Sequence, residues 1–244
     1  AGPDAADEAA PGGAAAVDAR AGAVFASLDL SVRSNELLLV VGAVGSGKSS
    51  LLDALSRARP LGGGELRVCR RRALVSQRPF LLNGSVHDNV LFGLDLQPAR
   101  YEDALERAAL RADLRALHAA DSTLVGEAGV QLSGGQRARL ALARALYSDA
   151  DAFFFDDVLG AVDAHTGREL WERAITHLVV QRGKAVVLAT HQLQWLPRRE
   201  VARVALASGG RIAACAPYEQ LQRLVAHGGA ERGAVGEGGG GGGG

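Results

Sequence analysis

The chain has 244 residues, 48% of them hydrophobic, so it can fold into one large or two small globular domains and is too apolar for a disordered polymer. Its 27 basic and 27 acidic residues leave no net charge, which argues against nucleic acid as a partner because that partner selects a basic surface. No apolar run approaches the roughly 18 residues of a membrane-spanning helix, and two cysteines are too few for a disulfide framework.

The two ends of the chain differ in composition from its middle. Residues 1–23 are mainly alanine, glycine, proline and acidic residues without periodicity, which predicts a flexible leader. Residues 227–244 end in a run of glycines, which predicts a disordered tail. Between them, residues 24–226 form a continuous region without repeats, and we expect one globular domain there.

Strand and helix patterns alternate along this region. Apolar residues alternate with polar ones over Leu28–Val32, as on a half-buried strand. Three mainly apolar runs have the pattern of buried parallel strands: Glu36–Val41, Ala152–Phe155 and Ala185–Ala189. Helical patterns begin at Lys48 and recur over Tyr101–Ala119, Gln136–Tyr147 and Arg168–Val180. Such alternation predicts an α/β fold with a parallel sheet and right-handed crossovers.

One stretch of the domain lacks strand patterns. From Asn89 to Ser133 the sequence favours helices only. This predicts a helical subdomain inserted into the sheet, over about residues 89–147.

A glycine-rich motif follows the first buried strand. Gly42–Ser49 matches G-x-x-x-x-G-K-[ST], whose backbone N–H groups surround phosphates. The helix that begins at Lys48 adds the positive end of its dipole, the lysine would neutralise phosphate oxygens, and the serine hydroxyl would help ligate Mg²⁺. The flanking strand and helix disfavour a ligand-free glycine turn. The expected nucleotide contacts are Gly42, Gly45, Ser46, Gly47, Lys48, Ser49 and Ser50.

A pair of carboxylates ends the strand Ala152–Phe155. A carboxylate at the carboxyl end of a central strand lies beside the phosphate loop, where it can hold Mg²⁺. Asp156 is therefore the predicted metal ligand, and Asp157 follows it directly. Without the upstream phosphate loop, two solvated acids would be the better interpretation.

A further glycine pair opens the helix after residue 132. Ser133, Gly134, Gly135 and Gln136 form an anion-binding helix start. Together with the phosphate loop and the apolar strand ending in aspartate, this motif resembles the signature of ATP-binding cassette (ABC) ATPases. The resemblance implies that Gln77 contacts Mg²⁺ and the attacking water and that His191 contacts the γ-phosphate. It also implies that Asp163 is the D-loop aspartate and that it joins Ser133–Gln136 among the residues that bind nucleotide.

The likeness is finer than the superfamily and covers about residues 28–226. Phe80–Gly93, Gly129–Gln136 and Asp156–His165 are similar to the first nucleotide-binding domain of subfamily C, the multidrug-resistance-protein-like exporters. This implies an ABC cassette with a mainly parallel sheet, antiparallel N-terminal strands and a helical subdomain. It also implies ATP and Mg²⁺ as ligands and a head-to-tail dimer with a second nucleotide-binding domain. Transmembrane domains outside this chain would place it at the cytoplasmic face of a membrane.

The sequence departs from the family at the catalytic position. Well-hydrolysing members have glutamate after the magnesium aspartate, as general base for the attacking water, whereas this chain has Asp157. The side chain is one methylene shorter, so we expect ATP binding with slow turnover at this site. Gly160 and Val158 also stand where subfamily C usually has serine and proline.

A second departure concerns adenine. The family stacks an aromatic ring on the base, but the region where it should lie, about residues 14–20, has none; Phe25 is the nearest. Three alternatives to an exporter motor differ in what they require of the sequence. A non-hydrolysing ATP-binding regulatory module fits the Asp157 substitution. A DNA-repair or ribosome-associated ABC ATPase would need inserted coiled coils or basic arms, and no heptad stretch or basic run interrupts Lys48–Ser133. A simple P-loop kinase would have no use for Ser133–Gln136.

Overall fold

The computed structural model describes residues 25, 28–127 and 129–224. The predicted leader at 1–23 and the predicted tail at 227–244 lie outside these residues. Six strands form the main sheet in the order β2-β5-β6-β1-β7-β8. Their bounds are β1 Leu37–Val41, β2 Arg72–Val75, β5 Ala152–Asp156, β6 Ala185–Thr190, β7 Val201–Ser208 and β8 Arg211–Ala216. All pairs are parallel except β7 with β8, which confirms the predicted α/β class with a mainly parallel sheet.

In the described part of the chain, six α-helices with both ends defined and a π-helical segment accompany this sheet. The α-helices are α1 Lys48–Leu55, α2 Val86–Leu91, α3 Pro98–Arg107, α4 Arg111–Ala116, α5 Gly134–Tyr147 and α6 Ala164–Leu170. The π-helical segment, Trp171–Gln181, continues α6. Short 3₁₀ turns occupy Ala120–Ser122 and Leu193–Trp195, and residues 218–224 are helical. No helix in the described part of the chain is long and apolar enough to cross a membrane.

Strand β1 shows why the central strands read as uninterrupted apolar runs. Leu37, Leu39 and Val41 face one hydrophobic core, which contains α2–α5 and the π-helical segment. Leu38 and Val40 face the other core, which contains α1. Since side chains alternate between the two faces of a sheet, a strand covered on both faces must be apolar at every position.

The predicted strand at Leu28–Val32 does not form. Residues 28–33 have no regular secondary structure, although the alternating pattern is real: Leu30 and Val32 pack against the α1-side core, while their neighbours are exposed. Alternation reports which side chains are buried, but a strand also needs a hydrogen-bonded partner, and no described strand pairs with this segment. Among the described residues, the antiparallel pair of the main sheet is β7 with β8, and the described N-terminal residues, 25 and 28–36, contain no strand.

Two expectations for the region between Asn89 and Ser133 are corrected as well. It contains a strand, β4 (Leu124–Val125), which pairs antiparallel with β3 (Gly84–Ser85). The helical pattern over Tyr101–Ala119 divides into α3 and α4 at Ala109, whose φ is +52°. This turn buries the neighbouring Ala108 and Leu110, so burial overrides a helix-favouring sequence.

A buried polar pair connects α2 and α5 to the segment after Gln77. The guanidinium of Arg144 donates to the backbone and side-chain oxygens of Asn89, at 2.9 and 2.7 Å, and lies over the rings of Phe80 and Phe92. Asn89 is fully buried and also bonds both backbone groups of Leu82. These bonds fix the position of the chain that leaves β2.

Two tryptophans stack where the π-helical segment meets the turn after His191. The rings of Trp171 and Trp195 are 4.9 Å apart at their centroids and nearly parallel, with an angle of 2°. Arg198 covers both rings, and Trp195 donates a 2.7 Å hydrogen bond to the side-chain oxygen of Gln192. The stack joins the residues that follow β6 to the helical layer.

Candidate functional site

The loop between β1 and α1 requires glycine at three positions. A Cβ atom at Gly42 would lie 2.3 Å from the carbonyl oxygen of Ala207 and 2.7 Å from the Ser46 hydroxyl, so no side chain fits there. Gly45 and Gly47 have φ angles of +81° and +97°, in the region that L-amino acids with side chains avoid. The loop therefore needs glycine at its start because another backbone segment lies close to it, and near its end because the chain adopts left-handed angles there.

Lys48 folds back across this loop. Its ammonium donates hydrogen bonds to the carbonyl oxygens of Gly42 and Ala43, at 2.8 and 2.9 Å. The hydroxyl of Ser46 is buried and has no hydrogen-bond partner among the described residues. A buried hydroxyl without a partner is costly unless a ligand satisfies it, and the Lys48 ammonium within the same loop favours an anionic one. Phosphate fits both groups.

Asp156 ends β5 next to the first turn of α1. It is only 7% exposed, and the Ser49 hydroxyl lies close enough to its carboxylate to influence its pKa. Burial raises the pKa of the Asp156 carboxyl, with Asp157 and Asp53 adding to the effect, while Ser49 and Lys48 oppose it. A buried carboxylate beside a hydroxyl and a second acid suits a hard divalent cation such as Mg²⁺. Ser50, the other predicted contact here, is half-buried.

Asp157 and His191 meet at the same edge of the sheet. The register of β5 with β6 pairs Asp156 with Ala189, which brings the residues after both strands together. One carboxylate oxygen of Asp157 lies 3.0 Å from His191 Nδ1, and the other accepts a 3.0 Å hydrogen bond from the Thr190 hydroxyl. Asp157 is 9% exposed, whereas the His191 side chain is 56% exposed.

Thr190 was not identified from the sequence. It is fully buried, donates to Asp157 and accepts the backbone N–H of Gln192. The sequence signal for this residue is a threonine that ends an apolar strand directly before the candidate histidine. Its partner is 33 residues away, a distance that spacing along the chain does not reveal.

Gln77 lies two residues beyond β2. Val75 of β2 is in register with Phe155 of β5, so Gln77 emerges at the edge where Asp156 and Asp157 lie. Its side chain is exposed, and the structure gives it no hydrogen bond within the described residues. The strand order places it near the predicted metal ligand without a direct contact.

The predicted signature motif opens α5. The Ser133 side chain accepts the backbone N–H of Gln136, and the Gln136 side chain accepts that of Ser133, which is a capping box. Gln136 also donates to Asp113 of α4, at 3.0 Å, and Arg139 pairs with the same carboxylate at 2.6 Å. Ser133 and Gly134 are exposed.

The start of α5 faces the loop after β5. A Cβ atom at Gly135 would lie 3.0 Å from the carbonyl oxygen of Ala161. The hydrogen bonds of Ser133 and Gln136 join them to each other and to Asp113, and none joins them to Gly42–Ser49. The structure therefore brings the signature motif to the loop of Asp163 and not to the chain's own phosphate loop.

Asp163 caps α6. Its carboxylate accepts the backbone N–H groups of His165 and Thr166, and the Thr166 hydroxyl donates to it at 2.7 Å. The bonds from Thr166, with that from His165, lower the pKa of Asp163 to about 2. The residue that the family resemblance assigns to the D-loop has a structural role within its own helix.

Phe25 does not supply an exposed ring. It is half-buried and packs against the α1-side core. The region expected to hold an adenine-stacking aromatic, about residues 14–20, lies outside the described residues.

Comparison with known proteins gives one family. A family described as "ABC transporter" matches residues 25–160. The Arabidopsis thaliana protein "ABC transporter C family member 3" is 42% identical over 182 residues, 75% of this chain and 12% of the relative. Human "ATP-binding cassette sub-family C member 3" is 42% identical over 195 residues, which are 80% of this chain and 13% of the relative. Mouse "ATP-binding cassette sub-family C member 4" is 46% identical over 169 residues, which are 69% of this chain and 13% of the relative. The chain thus spans a small part of each relative's length.

Proposed function

The chain belongs to the ABC transporter family, as an ATP-binding cassette related to subfamily C, and from this membership we propose that it is the ATP-driven motor domain of an exporter. The observation that carries the proposal is the meeting of four elements at one sheet edge: the Lys48 loop, the Ser49–Asp156 pair, the Asp157–His191 pair and the end of β2. In open α/β sheets, ligands bind at the carboxyl ends of the parallel strands.

The loop residues bind the phosphates of ATP. Lys48 neutralises phosphate oxygens, and its present bonds to Gly42 and Ala43 hold the ammonium inside the loop. The unpartnered hydroxyl of Ser46 gains a hydrogen bond. Gly45, Gly47 and the first turn of α1, which includes Ser49 and Ser50, present backbone N–H groups to the anion.

Three residues would hold Mg²⁺. Asp156 and Ser49 lie together, and Gln77 emerges at the same edge. The bound ion supplies charge neutralisation at the phosphate oxygens. The carboxyl of Asp156, whose pKa is raised by burial, gains most from a cation because the ion removes the cost of its charge.

Asp157 makes hydrolysis slow at this site. A glutamate in its place would carry the carboxylate one methylene further toward a water near the γ-phosphate, and misplacement of a reacting group by about 1 Å can cost on the order of a hundredfold in rate. The shorter Asp157 carboxylate accepts a hydrogen bond from Thr190 and lies 3.0 Å from the Nδ1 atom of His191. His191 contacts the γ-phosphate.

The motor works as a head-to-tail pair. Ser133 and Gly134 are exposed at the start of α5, Gly135 and Gln136 are half-buried, and no hydrogen bond joins the motif to its own phosphate loop. The exposed part of the motif is therefore available to cover nucleotide bound to a second cassette. Asp163, on the adjacent loop, lies at the interface. ATP closes the pair, hydrolysis reopens it, and the Gln77 loop conveys the motion to transmembrane domains at the cytoplasmic face of a membrane.

A second candidate is a regulatory module that binds ATP without turnover. The observation that favours it is the engagement of both Asp157 carboxylate oxygens, one by Thr190 and one by His191. A carboxylate so held has less freedom to accept a proton from water. The two candidates share the nucleotide site and differ in chemistry alone.

Single-turnover hydrolysis with protein in excess over radiolabelled Mg²⁺–ATP separates them. We expect slow hydrolysis by the chain, a rise of up to about a hundredfold in Asp157→Glu, and a further loss in Asp157→Asn. Hydrolysis absent from both the wild type and Asp157→Glu, with ATP still bound, would support the regulatory module. A chain that binds no ATP would contradict both.

A further inference from the structure

The side chain of Asp113 joins α4 to the start of α5. One carboxylate oxygen accepts a 3.0 Å hydrogen bond from the side-chain nitrogen of Gln136, and the other accepts a 2.6 Å bond from the guanidinium of Arg139. The side chains of Asp113 and Arg139 are only 18% and 13% exposed, so water competes little for these bonds. The two oxygens of one carboxylate are thus occupied by two donors of the same helix.

These bonds determine which way the Gln136 amide points. Its oxygen accepts the backbone N–H of Ser133 at 2.9 Å, while its nitrogen donates to Asp113. The Ser133 N–H can only donate and an ionised carboxylate can only accept, so the amide satisfies both partners in one orientation alone. Asp113 therefore keeps the Gln136 oxygen on the capping box of α5.

The capping box shapes the exposed end of the signature motif. Ser133 and Gly134 are exposed, and the N–H groups of Gly134 and Gly135 have no acceptor within the helix because they belong to its first turn. The Arg139 guanidinium lies beside this turn, since a Cβ atom at Gly135 would be 3.5 Å from its Nη1. The turn so held presents backbone donors and the positive end of the α5 dipole to an anion.

We propose that Asp113 is a positioning residue for the signature motif. By orienting the Gln136 amide, it keeps Ser133 and the glycines after it in the conformation that covers nucleotide bound to a second cassette. This consequence rests on the proposed function, because it matters only if two cassettes pair head to tail. The orientation of the amide exists in the single, ligand-free chain and can be tested there.

An isosteric substitution changes the chemistry at this position without changing its shape. The side-chain amide in Asp113→Asn has one acceptor atom and one donor atom, so it cannot accept from both Gln136 and Arg139. If Arg139 takes the oxygen, the Gln136 amide must turn round, and the Ser133 N–H loses its acceptor. Gln136→Glu in the same chain should repair this, because a carboxylate offers one oxygen to the Ser133 N–H and the other to the new amide donor, and glutamate is an ordinary capping-box residue.

The first test follows the Ser133 N–H by NMR in chain labelled with ¹⁵N-serine, the signal being assigned by its loss in Ser133→Ala. Its hydrogen exchange should be about two- to tenfold faster in Asp113→Asn, as expected for the loss of one hydrogen bond. The wild-type rate should return in Asp113→Asn/Gln136→Glu. Asp103→Asn is the matched control, since the Asp103–Arg107 pair lies within α3.

Two results of this test would overturn the proposal. One is a folded Asp113→Asn chain whose exchange at Ser133 is unchanged, and the other is a double variant in which exchange does not recover. If Asp113→Asn does not fold, recovery of folding in Asp113→Asn/Gln136→Glu supports the proposal, and its failure overturns it.

The second test is complementation between two defective chains. Asp113→Asn should keep its ATP affinity and lose hydrolysis on the order of tenfold or more, because its signature motif is misplaced while its phosphate loop is intact. Adding equimolar Lys48→Ala should restore hydrolysis above that of either variant alone, since a mixed pair joins an intact phosphate loop to an intact signature motif. A structural defect confined to the Asp113→Asn chain would not be repaired by a partner.

The dependence of wild-type hydrolysis on protein concentration separates the two possible failures. If the wild-type rate rises with concentration and the mixture is no more active than its components, the proposal for Asp113 is overturned. If the wild-type rate per chain does not depend on concentration, the proposed head-to-tail motor is contradicted, and the exchange result at Ser133 stands by itself.

Discussion

The ammonium of Lys48 lies 2.8 Å from the carbonyl oxygen of Gly42, so the residue that begins α1 is bonded to the residue that opens the preceding loop. A second bond reaches Ala43. The loop is therefore closed by its own lysine, and the positive charge is held within it. Lysine is rare in this chain, occurring only here and at Lys184, which provides an unusually well-matched comparison.

Replacing Lys48 should abolish measurable ATP binding. Lys48→Ala removes the one positive charge bonded to the loop, and charge-assisted hydrogen bonds contribute about 1.5–3 kcal/mol each, so we expect affinity to fall by roughly a hundredfold or more. Isothermal titration calorimetry with Mg²⁺–ATP measures this. Lys184→Ala is the control: Lys184 pairs with Asp151 at the opposite end of β5, at 3.1 Å, and its loss should leave affinity unchanged. Retained affinity in a folded Lys48→Ala chain would contradict the assigned pocket.

Replacing Asp156 by asparagine should stabilise the ligand-free chain. Burial raises the pKa of this carboxyl in the folded state, so its ionisation at neutral pH opposes folding, and the penalty is absent below the ordinary carboxyl pKa of about 4. Thermal unfolding at pH 7 should give a higher Tm for Asp156→Asn than for wild type, with the difference vanishing in acid.

The same substitution should weaken stabilisation by Mg²⁺–ATP, because the amide is a poorer metal ligand than the carboxylate. The rise in Tm on adding Mg²⁺–ATP should therefore be smaller in Asp156→Asn, while the rise with ATP and EDTA should be similar in the two proteins. A lower Tm for ligand-free Asp156→Asn would mean that the charge of Asp156 is not a cost to the fold.

The contribution of Asp163 to stability should depend on pH. Its pKa is about 2 in the folded chain, below the ordinary value, because the capping bonds favour the ionised form. The resulting stabilisation is present above pH 4 and is lost as pH falls through 2. Asp163→Asn keeps an oxygen that can cap α6 but removes the charge, so its urea midpoint should fall below that of wild type at pH 7 and approach it near pH 2. A pH-independent difference would assign the effect to capping geometry alone.

Removing the Asp113 carboxylate should destabilise the helical layer. Asp113→Ala leaves the side-chain donors of Gln136 and Arg139 without their shared acceptor in a largely buried position, at an expected cost of about 1–3 kcal/mol. Urea denaturation gives this value. The control is Asp103→Ala, whose partner Arg107 lies one turn away on the exposed side of α3 and should cost about 0.5 kcal/mol or less. Equal losses in the two variants would contradict the special role of Asp113.

Much of this architecture could be predicted from the sequence because its signals are local. The buried strands are uninterrupted apolar runs. The loop that ends at Ser49 has a motif whose glycines are required by positive φ angles or by close contact with neighbouring backbone atoms. Local signals gave wrong predictions where hydrogen-bonded pairing between segments decides whether a strand forms. Leu28–Val32 has the alternation of a strand without a partner, whereas Leu124–Val125 forms a short strand because Gly84–Ser85 lies opposite.

The candidate site divides in the same way. Lys48 could be predicted from the phosphate-loop motif, Asp156 from the apolar strand that it ends, and His191 from the resemblance to ABC ATPases. Thr190 could not, since its role comes from the parallel register of β5 with β6, which brings it into contact with Asp157, 33 positions away. The roles assigned to Ser133–Gln136 and Asp163 at a dimer interface remain predictions, as do the limits of the domain and of its helical subdomain.

The stacked indole rings of Trp171 and Trp195 form an intrinsic spectroscopic probe. Both tryptophans of the chain belong to the single pair Trp171 and Trp195, and the second is bonded to Gln192, the neighbour of His191. Parallel chromophores at this separation couple their electronic transitions, so near-ultraviolet circular dichroism and emission should register any rotation of the segment behind His191. Motion of the residues that follow His191 can therefore be monitored optically in unlabelled protein.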